Sequence, residues 1–306
     1  MVAGALTLGF TSCSDDWLSL SDPNQETADT FWKTTDQFEQ GLSAAYSTWR
    51  RPGFFSRWFQ IHMILRGDEG WSESPNAEFQ ADANFVVSAY NYDSNEGLCL
   101  PWQAMYNSVY YVNQVIDNMN DHGYDIFKKE EADHILGQGY FIRGLAYWAI
   151  AGVYGKGPIQ TSSTSDGEIG SQEDLFKQAL EDFSKASTLL PESWPSEEKG
   201  RVTKGGALGM MARCNMQLAG IKSHRPWDSA NQDANAARQY WVAAKTNIED
   251  IFRLGIYDLC DNWMDNFTEE HENNIESLFE INFKDGLING NEVGNQRPKF
   301  LGLYLS

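Results

Sequence analysis

One pattern recurs along most of this chain: a stretch of helical length with an apolar side chain every three or four residues, closed by proline or glycine. Residues 101–120 place Trp102, Tyr106, Val109, Val112 or Asn113, and Ile116 on one face, with Pro101 at the predicted start. Residues 129–155 do the same with Ile135, Tyr140, Leu145, Trp148 and Tyr154, and end at Gly155 and Gly157–Pro158. Leu175, Ala179, Phe183, Ala186 and Leu190 stripe residues 172–190, which stop at Pro191. Further helices are predicted over 36–50 (Phe38, Leu42, Ala45 or Tyr46, Trp49), 203–220 and 236–254. A striped helix must bury its stripe against a neighbour, so a series of them joined by turns predicts a mainly all-α scaffold of helix pairs. The segment ALEDFSKASTLLP, 179–191, resembles the second helix of a tetratricopeptide repeat. Strand signals are sparse, and ESLFEINF at 276–283 is predicted as a short strand. Pro52–Leu100, rich in Gly, Pro, Ser and Asn, reads mostly as loop. A loop of that length inside a compact domain is commonly functional.

Bulk chemistry excludes several functions. A formal charge of −20 leaves no basic surface for nucleic acid or for an anionic bilayer, and suits a neutral ligand. No Gly-rich phosphate loop, HExxH or GxSxG occurs, and adjacent carboxylates such as Asp68–Glu69 and Glu269–Glu270 are expected by chance in so acidic a chain. The expectation is a non-catalytic protein without cofactor. Five His and four Cys show no metal-ligand spacing, and carboxylates that could hold Ca²⁺ are not arranged in a DxDxDG loop.

The first residues, MVAGALTLGFTSCSDD, combine a short apolar run with a cysteine and an acidic stretch. The run is too short to cross a bilayer. It reads as the remnant of a signal peptide (1–12) ending at Cys13, which becomes the lipid attachment point of a tether (13–35). An ordinary secretory signal is the alternative. Cys99, Cys214 and Cys260 are an odd number for a disulfide framework and are expected as small core residues.

Five segments in order resemble the SusD/RagB family of outer-membrane nutrient-uptake lipoproteins. They are RGDEGW (66–71), WQAMYNSVYYVNQVIDNM (102–119), YFIRGLAYWAIAGVYGKGPIQ (140–160), GRVTKGGALGMMARCNMQLAG (200–220) and the stretch 240–283. Gly139, Gly144, Gly205 and Gly206 are weak helix formers within these motifs. The resemblance implies a helical domain over 36–306 whose C-terminal portion is missing. It also implies lipid anchoring at the cell surface of the outer membrane, and a SusC-like TonB-dependent transporter as partner. Oligosaccharide would be captured and handed on without chemistry. A tetratricopeptide-like scaffold for protein partners is the alternative, and an all-helical glycosidase a third reading.

Sugar binding needs aromatic faces, with amides and carboxylates for the hydroxyls. The long loop supplies Trp71, Asn76, Phe79, Tyr90 and Tyr92, which fall outside the helix stripes, and Trp71 is the first candidate. Trp227, in a second polar loop, is the weaker one. Trp49, Trp102, Trp148 and Trp241 fit stripes and are expected in the core, while Arg143 and Arg201 are expected to donate hydrogen bonds to carbonyls.

Overall fold

A computed structural model describes residues 31–65, 96–223, 230, 232–283, 287–288 and 291–292. The helices are α1 (Thr35–Ser47), α2 (Trp58–Leu65), α3 (Glu96–Asn118), α4 (Lys129–Val153), α5 (Gln172–Leu189), α6 (Lys204–Lys222) and α7 (Ala234–Leu254). Each starts or stops where local chemistry dictates. Thr34 and Gln37 cap α1 reciprocally, at 3.3 and 3.2 Å. Ser171 and Asp174 do the same for α5, Asp233 caps α7, and α7 closes on Gly255 at φ 68°.

Packing follows chain order: α1 against α3, α3 against α4, then α4 with α5, α5 with α6, and α6 with α7. This is the neighbour-on-neighbour arrangement of a helical solenoid, as the stripes predict. α4 lies at its centre and is buried nearly all round, from Ala132 to Val153. The weak helix formers have a packing reason here. A Cβ on Gly144 would lie 3.1 Å from the Phe183 ring, so its absence lets α4 and α5 close together. One on Gly205 would run into the Tyr257 ring, which covers the start of α6.

Several expectations are corrected. The stretch 276–283 forms no strand; the strands present are β1 (Lys156–Ile159) with β2 (Glu168–Ser171), and β3 (Leu287–Ile288) with β4 (Asn291–Glu292), both pairs antiparallel. The 52–100 loop contains α2, whose near-uniform apolar run WFQIHMIL hides any stripe. α3 starts at Glu96, which places Pro101 inside it. Trp241 is not core: it is 47% exposed, whereas Trp49 is 3% exposed, and Trp102 and Trp148 are half-buried. Of the three described cysteines only Cys214 is core, where burial pushes its thiol pKa up, while Cys99 and Cys260 are half-buried.

Candidate functional site

The residues singled out for ligand contact, Trp71, Asn76, Phe79, Tyr90 and Tyr92, lie outside the described residues, as do Trp227 and the lipid-attachment candidate Cys13. The structure does define the base from which residues 66–95 leave and return. Pro101 has no amide hydrogen, so inside α3 it cannot bond the carbonyl of Gly97 four residues back. The buried His62 of α2 supplies the donor instead, through Nε2. The Tyr154 hydroxyl donates to the next carbonyl, Leu98, at 2.6 Å, and its ring meets Trp102 edge-on with centroids 5.0 Å apart. One turn along α3, Tyr106 donates to the Pro158 carbonyl at 2.9 Å; burial raises its pKa, so the hydroxyl stays a donor. Thus Tyr154 and Pro158 of the Tyr-Gly-x-x-Pro motif brace the start of α3, and α2 is tied to it from the other side of the loop.

Behind this base lies a buried polar knot. Arg143 of α4 grips Asp182 of α5 with two bonds, 2.9 and 2.7 Å, and donates to Asn113 Oδ1 at 2.9 Å and the Thr161 carbonyl at 2.7 Å. Burial alone would lower the Arg143 pKa, but the facing Asp182 carboxylate raises it above the ordinary arginine value. The side chains are 3% and 0% exposed, so neither reaches a ligand. Tyr147 adds a bond to the Gln160 carbonyl at 2.6 Å, joining the knot to the β1 end. The expectation that Arg143 serves a carbonyl is therefore met at Thr161, but its principal partner is a carboxylate. For Arg201 the expectation is met by a side-chain carbonyl, Gln138 Oε1, at 3.3 Å, beside a carboxylate partner, Glu39, at 3.1 Å, because α1 and α4 present side chains, not backbone, on that side.

Around Arg201 the structure brings together groups the sequence reading missed. A cleft of about 450 Å³ is lined by Tyr46, Trp49, Lys199, Arg201, Glu280 and Asn282, among others. A second, of about 350 Å³, shares Lys199, Gly200, Arg201 and Glu280 with it and adds Trp194, Tyr257 and Asn273. These residues come from four separate stretches of chain, so although Arg201 and others fall in motif segments, no single segment announces the cleft. Among the described residues no group of three or more His, Cys, Asp or Glu could hold a metal ion. None of the described helices is long and apolar enough to cross a membrane.

A family model described as "Starch-binding associating with outer membrane", SusD-like, matches residues 16–216, more than half of the chain. The chain belongs to the SusD-like family. It is 23% identical over 270 residues to a SusD-like protein of Formosa agariphila, covering 83% of this chain and 46% of that protein. Its fold is that of SusD-like structures from Bacteroides thetaiotaomicron. A SusD homolog superposes with a TM-score of 0.71 at 18% identity, covering 86% of this chain and 49% of the other. Surface glycan-binding protein A, in complex with laminarihexaose, gives 0.65 at 21% identity over 83% and 50%. The chain thus spans about half the length of the relatives it matches.

Proposed function

We propose that this SusD-like chain is a surface lipoprotein, anchored through acylated Cys13. It captures a neutral oligosaccharide and passes it, without chemistry, to a SusC-like TonB-dependent transporter of the outer membrane. The observation that carries the reading is the match of residues 16–216 to a family described as starch-binding and outer-membrane-associated. Two features support it. The aromatic and amide residues Trp71, Asn76, Phe79, Tyr90 and Tyr92 all fall between α2 and α3, whose facing ends are pinned by His62, Tyr154 and Trp102. Pinned helix ends on either side of a ligand-contacting segment lower the ordering cost of binding. The charge of −20 also disfavours anionic ligands.

Calorimetry of the purified chain against a panel of neutral oligosaccharides tests the capture step. The expected result is saturable binding that weakens about tenfold or more in Trp71→Ala, since base- or sugar-sized aromatic contacts each contribute roughly 1–3 kcal/mol. No binding to any member of the panel overturns it. Mass spectrometry of the membrane fraction should find an acylated Cys13, and affinity capture from outer membranes should retrieve a TonB-dependent transporter. An unmodified Cys13 defeats the tether, and failure to retrieve such a transporter defeats the hand-over.

A further inference from the structure

The cleft around Gly200–Arg201 has three properties that together point to a ligand. Its first lobe is locally neutral in a protein of charge −20, with Arg50, Lys199 and Arg201 set against Glu197, Glu198 and Glu280, and the second lobe adds a single further carboxylate, Glu192. That balance discourages ions of either sign and leaves donors and acceptors of both kinds for uncharged hydroxyls. The second lobe adds the half-buried rings of Trp194 and Tyr257 and the amide of Asn273. Such rings offer apolar faces with polar edges, the combination that sugar rings require. Finally, Trp49 lines the first lobe and its ring is fixed there by edge contacts with Tyr46 and Phe279, centroids 4.9 and 5.5 Å apart, so that part of the wall is preformed. The volumes, about 450 and 350 Å³, lie in the range of small-molecule sites.

We infer that this two-lobed cleft is a second subsite for a neutral oligosaccharide, separate from residues 66–95, with the Trp49 ring forming part of its wall. The inference rests on the proposed glycan capture but uses none of its loop residues. Ser43 is exposed on α1 at the first lobe and Ser193 is exposed at the second, so a bulky side chain at either blocks the cleft without disturbing the core.

Calorimetry of the full chain with the best-bound member of a neutral oligosaccharide panel gives the stoichiometry. Indole ¹H–¹⁵N spectra, with the Trp49 signal assigned through Trp49→Phe, report occupancy of the first lobe that this ring lines. The expected result is two sites in the parent chain, one in Ser43→Tyr, one in Ser193→Tyr and one in Trp71→Ala. The Trp49 indole resonance should shift on titration of the parent and of Trp71→Ala, but not of Ser43→Tyr. A single site untouched by Ser43→Tyr and Ser193→Tyr, or a stationary Trp49 resonance, overturns the second subsite and leaves the loop reading intact. Absence of binding by the parent chain to the whole panel overturns both.

Discussion

At the scale of single residues, the Arg143–Asp182 pair is the most enclosed ion pair among the described residues. Removing one partner strands a charge that is almost wholly enclosed. Asp182→Ala is therefore expected to cost about 3–5 kcal/mol in urea denaturation, while replacing both with apolar residues of similar volume (Arg143→Met with Asp182→Leu) costs clearly less. A loss from the double substitution as large as from the single one would contradict this account. Acid sensitivity is argued from other carboxylates. Hydrogen bonds from Ser171 hold the Asp174 carboxyl below the usual range. Burial works to raise the Glu173 pKa, but bonds to Lys177 and Lys222 outweigh it and lower it. A carboxylate with a depressed folded-state pKa contributes its stability fully above its unfolded value, about 4, and loses it as pH falls through the folded value. The urea midpoint should thus hold steady from neutral pH to about pH 5 and then drop. Lys222→Met removes one of the two cations beside Glu173 and should shrink that drop. The importance of Arg143 was legible from its place in a motif helix. Its partner was not, because residues 143 and 182 meet only when α5 docks on α4.

At the scale of elements, helix existence and stripes were readable, since a 3.6-residue period is a local property. Ends were less so. Pro101 marks a helix start in most sequences, yet α3 runs five residues further back to Glu96 because His62 replaces the bond that proline cannot make. This gives a double-mutant test. His62→Ala alone leaves the Gly97 carbonyl without that donor, at a cost of about 1–3 kcal/mol. Pro101→Ala restores a main-chain N–H in reach of the same carbonyl, so adding it to His62→Ala should recover part of the loss. Strict additivity in thermal or urea melts would refute the exchange of donors. The 276–283 segment failed as a strand for a related reason. Its alternation supplies Phe279 to the Trp49 and Phe141 rings, at 5.5 and 4.9 Å, without a neighbouring strand to pair with.

At the scale of the whole molecule, each helix is supported by its neighbours along the chain, and among the described residues the last, α7, packs mainly on α6. Its outer side and the segment after it show Phe252, Leu259, Trp263 and Phe267 at 68–76% exposure. Side chains so exposed contribute little to folding, so Phe252→Ser and Leu259→Ser should move the denaturation free energy by no more than about 0.5 kcal/mol. They should also reduce the binding of a hydrophobic dye, because they shrink an apolar surface patch. A loss of several kcal/mol would show that these two side chains are packed in solution. Trp241 belongs to the same lesson: it keeps helical spacing with buried Ala237 and Ala244, yet sits 47% exposed. Periodicity shows which residues share a face, but burial needs a second element to cover that face. The helices, their order and the family motifs follow from local spacing, so the chain carries them in its linear pattern. The Arg143–Asp182 pair, the His62 bond across the loop base and the cleft around Arg201 join residues 35 to 162 positions apart. Such contacts form only once the solenoid has stacked, and no run of residues can announce them.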